Sequence, residues 1–476
     1  MSEHPPLSVV WFRQDLRLSD NPAILAAAKR GAPIVALYIL DDVTPGAWKI
    51  GGAARWWLHH SLTGLAKVLA GHNVPLILRR GKAETILPAF IREAGADAIF
   101  WNRCYEPFAV ARDTALKPRL RSDGIIVESF NAGLIAEPWT ITTHTGAPYK
   151  VFTPFWRALR STVTPEKPLK APKSLLGFAE KLESDRLDDW ALLPTAPNWA
   201  DGIGAAWKPG EAGAGEQWET FLDHALGDYK TDRDLPGIEG VSRLSPYLHW
   251  GEISIREVWH AAETRGGPDA EPYLRELAWR EFSHHLLWQF PALPDTPFQP
   301  RFAEFPWRSA ASELRAWQKG LTGYPLVDAG MRELWRTGWM HNRVRMVVAS
   351  FLVKHLLLPW RDGEAWFWDT LVDADLAANA MNWQWVAGSG ADAAPYFRIF
   401  NPVLQGEKFD SDGAYTRKFV PELAALPDRW LHKPWMAPPD VLHAAGVTLG
   451  SNYPEPLVNH DVARQRALAA LASLAG

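Results

Sequence analysis

The sequence predicts two architectures in one chain: a doubly wound, Rossmann-like parallel α/β domain, then a nearly all-α domain. Three observations carry this. Residues 1–135 alternate short β-branched and aromatic runs with helical stretches, a pattern in which crossover helices connect parallel strands. Residues 216–476 show helical spacing of apolar positions with few strand signals. Between them, residues 136–215 contain TPEKPLKAPK, LLPTAPNWADG and KPGEAGAGEQ, rich in Pro, Gly and Ala, and read as a long interdomain linker.

Taken in order, Ser8–Phe12 (SVVWF) reads as a strand, and Asp20 is placed to cap a helix that Gly31 ends. Pro33–Leu40 reads as a buried strand and Ala53–Ala70 as a helix. Val74–Leu78, Glu84–Ala94, Ala98–Trp101, Val110–Ser122 and Ile125–Phe130 continue the alternation. No G-x-G-x-x-G follows the first strand and no phosphate-loop signature occurs, so a ligand of this sheet would sit at the C-terminal strand edges by another route. In the linker, Leu175, Leu176, Phe178 and Trp190 are apolar anchors that could pin it to a surface. The helical region is predicted to run through Gln217–Tyr229, Ile255–Glu263, Pro272–Phe290, Ser312–Gly320, Leu326–Thr337, Val344–Leu357, Glu364–Leu371 and Leu376–Val386.

Composition narrows the function classes. With 476 residues, 47% hydrophobic and 22% charged, the chain can bury two or three cores, which excludes a disordered chain, a coiled coil or a disulfide scaffold. Net charge is -4, so any attraction for nucleic acid must be local. The single cysteine, Cys104, excludes an intramolecular disulfide and suits a reducing compartment. The N-terminus lacks a signal pattern and no apolar run is long enough to span a bilayer, so a soluble, cytoplasmic monomer is expected. The outlier is tryptophan: 26 residues against 10 tyrosines, most of them between Trp218 and Trp435.

Four clusters could carry chemistry. Gly240–Ser245 precedes Pro246, and its hydroxyls and backbone N–H groups at a helix start suit phosphate, although a simple cap is the commoner use. Glu276 and Arg280 lie four apart on one helical face with Tyr273, and Trp279 is three from Glu276. Arg332–Met346 interleaves arginines and a histidine with Trp335 and Trp339, the composition of a nucleic-acid face or of a solvated basic helix. Asp373 and Asp375 stand near Asn379, Trp383 and Trp385, without a third ligand at metal-binding spacing; no metal site is expected.

These clusters, in this order, resemble the DNA photolyase/cryptochrome family. The segments WFRQDLRLSDNPAI, TGYPLVDAGMRELWRTGWMHNRVRM, ASFLVKHLLLPWRDGE, DADLAAN, WQW and DAAPYFRIFNPVLQGEKFD carry the resemblance along nearly the whole chain. It implies an antenna-binding α/β domain and a helical domain holding FAD. The implied reaction is repair of cyclobutane pyrimidine dimers in DNA: excited FADH⁻ gives an electron to a flipped-out dimer, the ring splits, and the electron returns. By position, Tyr229, Val241, Ser242, Arg243, Leu244, Ser245, Arg280, Asn342, Arg345, Asp373, Asp375 and Asn379 would hold FAD. Val241 stands where the family often has Thr. Asn379 would face flavin N5, where a neutral amide favours the anionic reduced form.

Arg233, Glu276, Trp279, Asn342, Arg343, Met346, Trp385 and Gln405 would meet the dimer and its DNA, with Trp279 and Trp385 stacking on the bases and burial raising the proton affinity of Glu276. Trp383, Trp360 and Trp307 match the family's electron chain for photoreduction. Asn379, Glu276, Met346 and the two stacking tryptophans favour repair over a cryptochrome light receptor or a (6-4) photolyase, and no nicotinamide site supports a flavin oxidoreductase. Phe108 and Ala109 depart from the microbial class I antenna pattern, while Ala53–Leu62 (AARWWLHHSL) looks class III-like. The resemblance thus favours a methenyltetrahydrofolate antenna over a deazaflavin or flavin mononucleotide.

Overall fold

The computed structural model describes residues 6–393 and 397–475. Met1–Pro5, Gly476 and, within the quoted motif DAAPYFRIF, Ala394–Tyr396 lie outside the described residues. Five parallel strands form one sheet: β1 (Ser8–Phe12), β2 (Ile34–Leu40), β3 (Leu76–Arg80), β4 (Ala98–Asn102) and β5 (Ile126–Phe130), ordered β3-β2-β1-β4-β5. Val10 faces Ala36 on one side and Phe100 on the other. Every residue of β1, β2 and β4 is buried, which is why these strands read as continuous apolar runs rather than alternating ones.

The two-residue period of β1 divides its side chains between two cores. Val10 and Phe12 pack with α1 (Pro22–Lys29) and α2 (Gly52–Ala70); Val9 and Trp11 pack with α3 (Ala83–Ala94) and α4 (Pro107–Ser122). The order reverses at β1, which places the topological switch point between β1 and β4.

Asn21, not Asp20, caps α1: its side chain accepts from Ile24 N at 3.2 Å, and Pro22 opens the helix. Asp20 adopts a left-handed φ of 45° and is fully buried. Its carboxylate accepts from Leu169 N at 2.8 Å and pairs with Arg256 at 2.7 Å, tying the sheet to the linker and to the helical body.

The linker is ordered where those contacts reach it. α5 (Phe152–Thr162) lies inside it and packs on the Glu271–Gln289 helix, with Phe155 5.1 Å from Phe282 between ring centres. Trp190 is buried, Leu175 and Phe178 are partly buried, and Leu176 is 57% exposed, so Leu176 does not act as an anchor. Its carbonyl instead accepts from Ile34 N at 2.7 Å, and Phe178 N donates to Ile34 O at 3.0 Å. Gly177, between them, sits so close to Asn73 that a Cβ would lie 1.6 Å from its carbonyl oxygen.

The helix expected over Gln217–Tyr229 runs over Glu211–His224, so EAGAGEQ is its first part and not linker. Gly213 is required there, because a Cβ would lie 1.8 Å from Lys208 O. Glu211 itself accepts from Leu18 N and Ser19 N, at 3.0 and 2.9 Å. Ile255–Gly266, Glu271–Gln289, Ala311–Gln318, Pro325–Thr337, Trp360–Thr370 and Leu376–Ala387 match expected helices within a few residues. The one expected over Val344–Leu357 is shorter: Asn342–Ser350 passes into a π-helical turn, Phe351–His355, and Leu357 takes a φ of 53°. Among the described residues, no helix is long and apolar enough to cross a membrane.

Candidate functional site

A cavity of about 630 Å³ opens in the helical body. The Glu271–Gln289 helix contributes Glu276, Trp279 and Arg280, spaced so that three side chains fall on one face. Asn342–Ser350 contributes Asn342, Arg343, Arg345 and Met346, and the adjoining turn and Leu376–Ala387 helix contribute Asp373, Asp375, Asn379, Trp383 and Trp385. Arg233 and Ser245 complete the set from two short segments. Fourteen of the residues singled out by sequence therefore line one cavity.

Its floor is a polar network. Ser245 Oγ donates to Asp373 Oδ2 at 2.6 Å, Arg345 Nη2 pairs with the same oxygen at 2.8 Å, and Trp339 Nε1 donates to Ser245 Oγ at 3.3 Å. Asp373 Oδ1 is buried and has no partner among the described residues, which leaves an acceptor on a residue that lines the cavity. Asp375 caps the Leu376–Ala387 helix by accepting from Ala378 N at 2.8 Å, and lies 3.4 Å from His284 and 3.6 Å from His249. Burial pushes its carboxyl up, but His284, His249 and Arg280 outweigh that and hold it well below the usual range. Asn379 donates its Nδ2 to Glu364 O at 3.0 Å, which orients the amide.

At the mouth, Arg233 lies 2.7 Å from Glu276 and Arg343 2.7 Å from Asp234. Burial raises the proton affinity of Glu276, and the Arg233 charge only partly opposes it. Trp279 is stacked flat on Phe152 of α5, 3.7 Å between centres at 9°. Trp385, which lines the same cavity, is fixed by its Nε1 donating to Asp392 O at 3.1 Å.

Other expected residues stand behind the wall. Tyr229 is buried against Tyr273, edge to face at 5.2 Å, with Arg233 over its ring. Of the Gly240–Ser245 segment, the lining takes in Ser245; Val241 and Leu244 pack in the core, and Ser242 Oγ meets Tyr273 OH at 3.1 Å. Arg243, at a φ of 52°, lays its guanidinium 4.3 Å over Trp207, and its buried Nε has no partner among the described residues. Gln405 lies on Pro402–Phe409, the helix whose Phe409 supports Arg343 at 4.4 Å.

Trp383, Trp360 and Trp307 share one apolar cluster. Trp383 meets Trp317 at 6.2 Å and Phe367 at 5.0 Å, and Trp307 meets Phe305 at 4.4 Å. Sequence reading missed Asp234, Phe152, His249, His284 and the carbonyl of Glu364. Asp234 and His284 had local signals, one beside Arg233 and the other four residues after Arg280 on the same helix; the others are joined to the site only through the fold.

The donor set fits a flavin dinucleotide: arginines for its phosphates, unpartnered Asp373 Oδ1 for an N–H or hydroxyl, and the oriented amide of Asn379. Comparison with known proteins agrees. Residues 8–173 match the family model of DNA photolyase, and residues 273–473 match that of the FAD binding domain of DNA photolyase. A deoxyribodipyrimidine photo-lyase of Agrobacterium fabrum is 52% identical over 98% of this chain and 98% of its own. Cryptochrome-1 of Arabidopsis thaliana is 41% identical over 98% of this chain and 70% of its own. The crystal structure of a bacterial class III photolyase from Agrobacterium tumefaciens superposes with a TM-score of 0.96, at 51% identity, covering 100% of this chain and 99% of that one. The chain belongs to the DNA photolyase family, and its helical domain is an FAD-binding domain.

Proposed function

We propose that this protein is a light-driven repair enzyme for cyclobutane pyrimidine dimers in DNA, acting on a dimer turned out of the strand into the cavity. The observation that carries the reading is the juxtaposition, in one cavity, of two aromatic faces, Trp279 and Trp385, with a carboxyl group of raised proton affinity, Glu276, above the Asp373, Asp375 and Asn379 floor. A flavin held by Arg280, Arg345, Asp373, Asp375 and Asn379 would supply light-driven one-electron chemistry with no net redox change.

The chain's own residues do the rest. Trp279 and Trp385 offer stacking worth roughly 1–3 kcal/mol per base. Glu276, whose proton affinity burial raises against the opposing charge of Arg233, would donate a hydrogen bond to a base carbonyl when protonated, where negative charge develops. Arg280, Arg345, Asp373, Asp375, Asn342, Asn379 and Ser245 hold the flavin, with Tyr229 and Val241–Leu244 supporting them from behind. Asn379 presents an amide that is no acid near neutral pH. Arg233, Arg343, Met346 and Gln405 guide the DNA, and Trp383, Trp360 and Trp307 form the route for photoreduction.

We assign the antenna to methenyltetrahydrofolate in the α/β domain, residues 1–135. The support is a cavity of about 120 Å³ at the strand edges near the switch point, lined by Trp11, Tyr38, Trp48 and Trp368 with Arg13 and Arg112. Such aromatic walls stack a planar ring. We place residues 136–215 as the linker and 216–476 as the helical domain, whose first helix already begins at Glu211.

Blue light on the reduced holoprotein with a dimer-containing oligonucleotide tests the reading. Loss of the dimer, with the flavin unchanged after each cycle, is expected. Glu276→Gln should keep the flavin and lower the yield per photon. A dimer that survives illumination with reduced flavin present would overturn it.

A further inference from the structure

Both arginines at the mouth are already held by carboxylates. Arg233 pairs with Glu276, which has its own part in the proposed reaction. Arg343 pairs with Asp234, 2.7 Å between Nη2 and Oδ2, with side-chain exposures of 18% and 33%. Phe409 lies under the same guanidinium at 4.4 Å, and Arg343 Nε is buried without a partner among the described residues. Asp234 lines the mouth of the same cavity, and its ion pair there is with Arg343. It is more exposed than the arginine it holds, and it adds a negative charge where a phosphodiester strand must approach. Charge alone makes it a liability for binding DNA.

Its geometry offers a compensating use. A free arginine is a flexible cation that reaches for any phosphate. One clamped between a carboxylate and a ring presents its donors in a fixed direction and with much of its charge cancelled. Such a group adds little affinity for an ordinary strand and keeps its value for a backbone bent to meet it.

We propose that Asp234 is a positioning residue for damage selectivity: by clamping and neutralising Arg343, it withholds that arginine from undamaged phosphodiester strands and reserves it for a strand whose dimer has entered the cavity. This rests on the repair reading above. The dimer gains its stacking on Trp279 and Trp385 whether or not Asp234 is present, so the carboxylate trims the unselective part of the binding and leaves the selective part.

The test is the affinity of flavin-loaded protein for a dimer-containing strand and for the same strand undamaged, across a salt series. Asp234→Ala should tighten the undamaged strand about five- to tenfold and steepen its salt dependence by about one phosphate contact, while the dimer strand changes less than about twofold. Asp234→Glu, which keeps the charge, should restore most of the preference. Flavin absorbance per chain should be the same in all three, which separates this from loss of fold. Equal shifts for both strands in Asp234→Ala, or no shift, would overturn the role of Asp234 alone. A parent protein with no preference for the dimer strand would overturn the repair reading and this inference with it.

Discussion

Asn379 owes its orientation to the backbone of a residue whose side chain has a different problem. Glu364 is almost fully buried, its Oε1 has no partner among the described residues, and burial pushes its carboxyl up to about 9 from the usual 4.5. The folded protein therefore keeps a proton that the unfolded chain surrenders above about pH 4.5, so this group costs stability increasingly as pH rises toward about 9. Glu364→Gln should flatten that dependence and stabilise the protein by on the order of 2–4 kcal/mol at alkaline pH, with little change near pH 4. Urea unfolding at both ends of the range reads this directly. Single residues of this kind were legible in sequence only where a contiguous motif held them. Asn379, Asp373 and Asp375 share one stretch, whereas nothing near Glu364 in the chain announces that its carboxyl is enclosed.

At the scale of elements, the Trp360–Thr370 and Leu376–Ala387 helices approach so closely that the Trp383 ring rests on Gly363. A Cβ there would lie 2.0 Å from Trp383 Cη2, so neither the ring nor the backbone can stay in place. Gly363→Ala should cost about 1–3 kcal/mol by overpacking. It should also displace Trp383 and slow photoreduction of oxidised flavin. Thermal melting and the rate of flavin bleaching under blue light check the two effects separately. Most helices here were readable because apolar spacing and helix length agree. The exceptions have local causes: EAGAGEQ looks like linker because glycine is a poor helix former, yet Gly213 is what lets that helix meet Lys208. The end of the Asn342–Ser350 helix was misread because a π-helical turn leaves the apolar pattern unbroken.

Across the whole molecule, buried polar ties join the sheet to the helical body. Arg256 and Asp20 pair with side-chain exposures of 9% and 0%. Glu252 accepts from Trp57 Nε1 at 3.1 Å and Gly210 N at 2.8 Å, and burial pushes it up to about 8. Removing one partner of a buried pair strands the other, so Asp20→Ala should cost about 3–5 kcal/mol. Flavin release during a thermal ramp should then begin at a lower temperature than in the parent. None of these ties was legible in sequence, since partners 42 to 236 residues apart leave no local spacing to read. The same limit hid Phe152 behind Trp279.

That last contact bears on how far the catalytic half can be detached. The indole against which a substrate base would lie is backed by a ring from α5, and Arg280 donates to Gly133 O at 2.6 Å in the segment after β5. A truncated version starting at residue 216 would thus have a loose indole and an unanchored guanidinium even if every helix formed. Chimeras that exchange light-gathering modules should keep residues 131–162 with the recipient, because that stretch works as masonry for the neighbouring chamber.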